Sequence, residues 1–511
     1  MYTNNKLWIA QSDKNICILP NMANRHGLIA GASGTGKTVS LKVLAESFSD
    51  AGVPVFLADI KGDLSGMITE GSETDIIRKR VEEFPIENWT YKKFPTAFWD
   101  IYAEMGIPIR ITVSEAGPLL LSRLLGLSEI QEEVLNVIFK IADDNSLLLT
   151  DIKDLKAMVE YCSEKKAEFS PKYGNMSPQS LGSIQRALVS LEAQGGENFF
   201  GEPSVDFNDW LRKTEDGRGY INVLYAVKLI HNPLLYTTFM LWLMSTMFED
   251  LPEVGDLEKP KMVFFFDEAH LLFSDISKSL KSKIVQVVKL IRSKGIGIYF
   301  ISQSPSDIPD EILAQLGNRI QHSLRAYTPA EQKAVKAAAS AFRVNPDFDT
   351  EDAITNLATG EALVSFLDAD GSPSVVEKAC ILPPQSLIGS AEEVMVHATV
   401  LSDPFNKKYM DAIDDISAYE ILTERKEADM QALEAEKKAL EKAKEEALLA
   451  KEKEKEEAKL AKEKEKQEKE QKKKEEQKKK TIFGFFKSSA RTASNMVTRE
   501  VVRNILKCFK K

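Results

Sequence analysis

The sequence GLIAGASGTGKTVS, Gly27–Ser40, lies near the start of a chain of 511 residues. Within it, Gly31 to Thr38 fits the G-x-x-x-x-G-K-[ST] phosphate-binding pattern at every position. A strand-like run leads into the glycines and a helix-compatible run, KTVSLKVLAESFSDAG, follows them, which is the context that this motif requires. The pattern therefore predicts a phosphate-binding loop at the amino end of a helix, and with it a bound nucleoside triphosphate.

Each residue type in this loop has an expected role. Glycines allow backbone N–H groups to wrap the phosphates, and the amino end of the helix adds a positive dipole. The Lys37 ammonium is expected to contact the β- and γ-phosphates, and the Thr38 hydroxyl to bind Mg²⁺. We therefore predict ATP and Mg²⁺ as cofactors. The predicted nucleotide-binding residues are Gly31, Ala32, Ser33, Gly34, Thr35, Gly36, Lys37 and Thr38.

A second motif, MVFFFDEAH at Met262–His270, supplies two carboxylates. Its apolar run ends in Asp267, which places this carboxylate at the carboxyl edge of a buried strand, where ligands bind in open parallel sheets. We predict that Asp267 holds Mg²⁺ through water and that Glu268 polarises the attacking water as the catalytic base. The alternative is an ordinary strand that ends in two surface acids.

The third motif, IGIYFISQSPSDIP, places Gln303 at the end of another buried strand. Its neutral amide is predicted to sense the γ-phosphate or to orient water, and the alternative is a structural glutamine that caps a loop. Hydrolysis in such sites also needs a positive charge for the transition state, supplied by the same chain or by a neighbour. Arg319, at the start of a predicted strand, is our first choice as this arginine finger. The other candidates are Arg325, Arg292 and Lys294.

The segment LADIKGDLSG, Leu57–Gly66, also follows a strand and brings charges next to the predicted phosphate edge. These charges are Asp59, Lys61 and Asp63. Their clustering favours a functional role, while a plain turn would by itself explain the glycine at position 62.

Eight strands are predicted, and several are continuous apolar runs, as is typical of parallel strands buried on both faces. Helical patterns intervene, which predicts a three-layer α/β fold. The predicted strands are His26–Gly31, Val53–Asp59, Ile107–Val113, Gly219–Ala226, Lys261–Asp267, Ile296–Ser302, Arg319–Ala326 and Glu361–Leu367.

The chain divides into regions of different composition. Strand signals vanish between Glu115 and Arg218, which predicts a mainly helical insertion, and paired prolines after Ile381 end the globular pattern. Residues 423–480 are almost entirely Glu, Lys, Ala and Gln with acids three or four residues from lysines, which favours a solvated helix or linker over a long coiled coil. The predicted segments are 1–114 and 219–385 for the two parts of the core, 115–218 for the insertion, 386–422 for a connection, 423–480 for the charged region and 481–511 for a basic amphipathic helix.

The last segment has an apolar face surrounded by cations, which is typical of a docking element for a membrane surface, an acidic partner or another copy of the chain. The alternative is that it folds back onto the globular body. Its apolar positions are Val497, Val501, Val502, Ile505, Leu506 and Phe509.

The composition excludes several classes of protein. No run of about 18 apolar residues is present and the amino terminus lacks a secretion signal, so a soluble cytoplasmic protein is expected. The 4 cysteines are far apart and predict neither a zinc site nor a disulfide framework. A net charge of −10 argues against a generally basic protein that coats nucleic acid, although it allows a local basic groove.

Together, MANRHGLIAGASGTGKT, ADIKGDLSG, FFFDEAHLLF, ISQSPSDIPDEILAQLGNRIQH and RAYTPAEQKAVKAAA resemble the bacterial HerA-like ATPases of the YjgR type, in the FtsK/HerA branch of RecA-like motor proteins. The resemblance covers roughly Leu7 to Pro384. It implies a RecA-like core, ring-shaped and hexameric homo-oligomers, and ATP hydrolysis at subunit interfaces with an arginine in trans. In better-known relatives this drives translocation of double-stranded DNA. The resemblance implies the roles given above for Lys37, Thr38, Asp267, Glu268, Gln303 and Arg319.

One departure from the family limits what carries over. HerA has a β-barrel domain before the phosphate loop, which helps it to engage a nuclease, whereas here thirty residues precede Gly31. We therefore do not expect a role in DNA resection.

Two classes of function stay open. The first is an ATP-driven oligomeric motor on DNA, which could use a basic stretch to contact phosphates. The second is a nucleotide-switched scaffold that docks through its tail. A small-molecule kinase is disfavoured because it normally needs an acceptor site and a lid. The basic stretch consists of Lys278, Lys281, Lys283, Lys289, Arg292 and Lys294.

Overall fold

The computed structural model describes residues 1–83, 89–274 and 278–489. Contacts between residues divide the chain into two units, Met1–Thr423 and Glu424–Lys511. Described helices of the first unit cover both faces of one sheet of thirteen strands, so that the strands of its centre are fully buried.

The strands follow one another along the chain with the predicted site at the carboxyl end of the central ones. They are β1 Tyr2–Thr3, β2 Lys6–Gln11, β3 Asn15–Ile18, β4 Gly27–Ala30, β5 Val55–Asp59, β6 Thr96–Asp100, β7 Ile107–Pro108, β8 Ile221–Tyr225, β9 Met262–Phe266, β10 Ile296–Ser302, β11 Asn318–Gln321, β12 Glu361–Ser365 and β13 Glu377–Ile381.

The helices include sixteen α-helical segments in the described residues. They are α1 Lys37–Asp50, α2 Asp75–Glu83, α3 Val113–Leu124, α4 Glu129–Asp144, α5 Ile152–Glu164, α6 Lys166–Tyr173, α7 Pro178–Ala193, α8 Pro233–Asp250, α9 His270–Phe273, α10 Lys278–Leu290, α11 Asp310–Leu313, α12 Pro329–Ser340, α13 Thr350–Asn356, α14 Glu393–Ser402, α15 Pro404–Tyr409 and α16 Ala418–Ser489.

The sheet has the order β1-β2-β13-β12-β11-β4-β10-β9-β5-β8-β6-β7, with β3 paired to β2. The strands from β11 to β7 in this order run parallel, which confirms the predicted α/β class. The remaining five strands pair antiparallel, and this side of the sheet is absent from our prediction. Parallel order brings the carboxyl ends of β4, β10, β9 and β5 to one edge, where ligands bind in such sheets.

Two predicted strands need correction. The strand at Ile107–Val113 covers only Ile107–Pro108, because Thr112 caps α3 instead. Its hydroxyl accepts the N–H of Glu115 at 3.1 Å and the Glu115 carboxylate accepts the N–H of Thr112 at 2.8 Å, which is a capping box. The strand predicted to extend to Ala326 ends at Gln321.

Helix α1 is fixed on the sheet by aromatic packing. The Phe48 ring centroid lies 6.3 Å from that of Phe265 on β9 and 5.9 Å from that of Tyr299 on β10. Such pairs are favourable beyond the apolar area that they bury. The amino end of α1, which follows the phosphate-binding pattern, is therefore held over the centre of the sheet.

The second unit is described from Glu424 to Ser489 and is helical throughout. Its side chains are exposed, and acids lie four residues before lysines in the Glu434–Lys438 and Glu465–Lys469 pairs, at 2.9 and 2.6 Å. This orientation stabilises single helices. The apolar positions predicted for the tail lie outside the described residues, and no described helix is long and apolar enough to cross a membrane.

Two buried histidines make stability depend on pH. His26 Nδ1 accepts the N–H of Ile298 at 3.0 Å, and His322 Nε2 lies 2.8 Å from the Ser40 hydroxyl. Burial is the main cause that lowers both pKa values from 6.5 to about 4. Between those values only the unfolded histidine is protonated, so each histidine lowers the free energy of unfolding as the pH falls.

We expect the variant His322→Gln to gain stability relative to the parent, by up to about 3 kcal/mol, as the pH falls from 6.5 to about 4. Urea unfolding of both proteins across this range measures the difference, and the comparison cancels the other titrating groups. The exposed His397 provides the control variant His397→Gln, whose difference from the parent should not change. A pH-independent difference for His322→Gln would contradict the prediction.

Candidate active site

The glycine-rich loop connects β4 to α1 and is held by both neighbouring strands. The N–H of Gly31 donates to Ser302 O at 3.2 Å and that of Ala32 to Ser323 O at 2.9 Å. Gly34 and Gly36 have φ of 78° and 117°, in the region that favours glycine. A Cβ added to Gly31 would lie 2.5 Å from His322 Cβ. The local backbone therefore requires glycine at these positions.

Lys37 is the first residue of α1 and is buried, with 9% of its surface exposed. Its ammonium donates to Gly31 O at 2.5 Å and to Ala32 O at 3.2 Å, so it folds back over the loop. Burial lowers its pKa, while the nearby carboxylates of Glu268 and Asp267 act to raise it. This ammonium lies at the loop whose N–H groups would wrap the phosphates.

Asp267 and Glu268 follow β9 at the same edge. Burial, and next the charge of Glu268, raise the pKa of Asp267 to about 6. The Glu268 N–H donates to Asp267 Oδ1 at 2.9 Å, and the Tyr236 hydroxyl donates to the Asp267 backbone carbonyl at 2.9 Å. A cation such as Mg²⁺ fits here, since it would offset both the desolvation and the repulsion between the two carboxylates.

Glu268 has an unusual backbone for its residue type, with φ of 47°. A left-handed conformation costs energy in a residue other than glycine and is found at functional sites. Its buried Oε2 lies 3.2 Å from His270 Nδ1 and accepts no hydrogen bond from the described residues. This oxygen is free to accept a proton from a ligand such as water.

Gln303 follows β10, between the glycine loop and Asp267 in the sheet order. Its backbone is held by Asp307, whose Oδ2 accepts the Ser302 hydroxyl at 2.6 Å and the Ser304 N–H at 2.9 Å. The Gln303 side chain is exposed and lines a cavity of about 410 Å³ together with Ala32 and Ser33 of the glycine loop. The described position is suited to a sensor of the loop's ligand.

Arg319, our first choice for the finger, has another role in this structure. Its guanidinium donates to three backbone carbonyls of its own chain, those of Leu316 at 3.0 Å, Ala341 at 3.3 Å and Leu313 at 2.9 Å. These bonds hold the turn before β11, and releasing them would leave buried carbonyls unsatisfied. The geometry therefore does not favour Arg319 as a finger.

The other candidates lie at two different edges. Arg325 is exposed and lines the same cavity as Gln303. Arg292 and Lys294 precede β10, at the amino edge of the sheet and away from the glycine loop of the same chain. Arg292 pairs with Asp256 at 3.2 Å and Lys294 donates to Leu251 O at 2.6 Å. From that edge, only the site of another subunit is within reach of Arg292.

The turn after β5 is organised by Asp59. Its carboxylate accepts the N–H groups of Gly62 at 2.7 Å, Asp63 at 3.2 Å and Leu64 at 3.0 Å. Burial raises its pKa to about 6. Asp59 thus has a structural role, whereas the Lys61 side chain is exposed.

Two features of the site were missed in the sequence analysis. His322 bridges the glycine-loop helix and β12, since its Nε2 lies 2.8 Å from Ser40 Oγ and its Nδ1 lies 2.9 Å from Glu361 O. The fully buried Glu46 of α1 accepts the N–H groups of Gln385 at 2.8 Å and Ser386 at 3.2 Å. A polar residue at an apolar helix position was the only signal for Glu46.

The glycine loop between a central parallel strand and a helix, with an Asp-Glu pair at the end of β9, defines a RecA-like P-loop NTPase. A family model described as "Helicase HerA-like C-terminal" matches residues 4–511. The chain belongs to this HerA-like family, as its motifs predicted.

Individual proteins agree with this assignment. The chain is 22% identical over 356 residues to the DNA double-strand break repair helicase HerA of Sulfolobus acidocaldarius, covering 69% of this chain and 64% of that protein. It is 24% identical over 361 residues to the HerA of Sulfurisphaera tokodaii, again covering 69% and 64%. The chain thus spans less than two thirds of these curated relatives.

A solved structure shares the fold. The plasmid coupling protein TrwB, in complex with the non-hydrolysable GTP analogue GDPNP, has a TM-score of 0.50 and 14% sequence identity, with 74% of this chain and 90% of that chain covered. At this identity the likeness concerns the fold alone.

Proposed function

We propose that the chain hydrolyses ATP with Mg²⁺ as a HerA-like motor. The observation that carries this proposal is the Asp267–Glu268 pair, which lies beside Lys37 with a buried Glu268 oxygen that accepts no hydrogen bond from the described residues. Binding alone would not need a carboxylate in this strained position, whereas hydrolysis needs a base near the terminal phosphate.

The residues divide the work of the reaction. The Lys37 ammonium leaves the Gly31 carbonyl and contacts the β- and γ-phosphates, while loop N–H groups bind the phosphate oxygens. The Thr38 hydroxyl and the Asp267 carboxylate would hold Mg²⁺, which offsets phosphate charge when bound. Glu268 accepts a proton from the attacking water, and Gln303 orients that water.

We further propose that the motor is a homo-oligomer, arranged as a hexameric ring with its sites between subunits. Arg292 supports this arrangement, because it lies at the sheet edge opposite its own glycine loop and keeps an exposed guanidinium. A finger at this edge would complete the site of a neighbouring subunit. Arg292 therefore replaces Arg319 as the proposed finger.

Double-stranded DNA is the proposed load, by similarity to the family. The basic stretch around α10 gives this proposal little support, because acids already neutralise part of it. Lys281 lies 3.6 Å from Glu311, and Lys283 lies 3.6 Å from Glu249. A DNA contact would therefore have to compete with these ion pairs or use other residues.

Steady-state ATPase rates with and without double-stranded DNA test the load. We expect severalfold stimulation that weakens as salt is raised, because cations that contact DNA phosphates release counterions. The variant Glu268→Gln should lose both the basal and the stimulated rate. A basal rate that is abolished in this variant but indifferent to DNA would keep the ATPase and exclude DNA as the load.

The C-terminal tail is proposed to dock onto a protein or membrane partner. The exposed charged helix α16 would act as its spacer, and a nucleotide-switched scaffold would use the same arrangement. A chain ending at Thr423 keeps the first unit, including the buried Ala418 and Leu422, intact. If ATPase activity and DNA stimulation survive this deletion, the scaffold is not the main function.

A further inference from the structure

Lys61 lies at the same sheet edge as the two carboxylates. Strands β5 and β9 are parallel neighbours, with Leu57 opposite Phe265. Continuing this register by two residues brings Asp59 and Asp267 to the end of their strands together. Lys61 follows in the turn that leaves β5, on the side of Asp267 away from β10.

The backbone that carries Lys61 is held from both sides. Asp59 fixes the turn through three N–H groups, as described above, and Gly62 adopts φ of 76°. The residues that follow are tied to the end of the core, since Gly66 N–H donates to Gly389 O at 3.2 Å and Ala391 N–H donates to Ser65 Oγ at 3.0 Å. The turn therefore presents the Lys61 side chain from a fixed position.

The Lys61 ammonium has a place but no partner. It is exposed and makes no hydrogen bond or ion pair with residues 1–83, 89–274 and 278–489. Its charge acts on both sides of the site, because it helps to lower the pKa of Asp267 and also lowers the pKa of Lys37. Two lysines that repel each other at one edge form a site for a polyvalent anion.

Other lysines near this edge are already occupied. Lys42 of α1 donates to the carbonyl of Leu387 and is buried. Lys228, which follows β8, donates to Glu104 Oε1 at 2.6 Å. Lys61 differs from both in being unpaired and in acting on Lys37.

We propose that Lys61 is a second phosphate-contacting cation, which binds the terminal phosphate from the β5 side while Lys37 binds it from the glycine loop. This inference rests on the proposed function and names a further group of the same site. Part of the positive charge for the transition state then comes from the chain itself, and the neighbouring subunit supplies the rest.

The affinities of a non-hydrolysable ATP analogue and of ADP, each with Mg²⁺, test this role without depending on hydrolysis. In Lys61→Gln, we expect the affinity for the analogue to fall about tenfold or more, while that for ADP stays unchanged. Lys61→Arg should retain the preference for the analogue, because the charge is kept. Lys228→Gln is the matched control and should bind both ligands like the parent.

The outcomes separate the two proposals. Equal losses for the analogue and ADP would show that Lys61 only supports the fold, and unchanged affinities would show that it contacts no phosphate. Either result overturns the inference while a hydrolysing parent keeps the proposed function. A parent that binds both ligands without hydrolysing ATP would overturn the proposed function alone, and one that binds neither would overturn both.

Discussion

In the variant Glu268→Gln, ATP turnover falls by a factor on the order of 10² to 10⁴, because the site loses its general base. The amide has nearly the same shape as the carboxylate, so the left-handed backbone and the neighbouring Asp267 are preserved. Nucleotide binding should therefore persist, and the protein should hold ATP unchanged.

A single-turnover assay with radiolabelled ATP, together with a binding titration, separates chemistry from affinity. Glu311→Gln is the matched control, because it replaces an exposed glutamate that pairs with Lys281 and lies outside the site. Its turnover should equal that of the parent. Retained turnover in Glu268→Gln would move the base to another residue.

The variant Lys37→Ala is expected to lose nucleotide affinity rather than only turnover. A hydrogen bond to a charged group contributes about 1.5–3 kcal/mol, so the affinity for ATP should fall roughly 10- to 150-fold. The free protein also loses the two bonds to Gly31 O and Ala32 O, and the loop becomes less ordered.

Calorimetric titration with an ATP analogue measures this loss. Lys294→Ala is a useful control, because this ammonium also donates to a backbone carbonyl, that of Leu251, but lies at the opposite edge of the sheet. Its variant should bind nucleotide normally. If Lys37→Ala bound the analogue as tightly as the parent, the proposed phosphate contact would be wrong.

The central fold was predictable because its signals are local. The run Ile296–Ser302 is apolar at every position apart from its glycine and its last serine, and the structure places β10 at those residues. The glycine pattern likewise predicted the turn between β4 and α1. In both cases the deciding residues are neighbours in sequence, so hydrophobic pattern and backbone preference are sufficient.

The antiparallel side and the arginine roles depend on distant partners. Strand β2 pairs with β13, so that Ala10 lies opposite Ile381, and no local pattern announces this pairing. Arg319 was chosen from its place at a strand start, but its hydrogen bonds reach Leu313 and Ala341 on either side in sequence. Which carbonyls an arginine finds is decided by tertiary packing.

The Glu46 carboxylate has a mechanical consequence. It clasps the N–H groups of Gln385 and Ser386 in the interior, while Lys42, one turn earlier on α1, clasps the carbonyl of Leu387. Breaking these bonds would strand buried charges, so the helix and this strap are geared together. Any stroke that gripping or releasing phosphate imparts to α1 is thereby transmitted across more than three hundred residues of sequence to the segment that leads into α14.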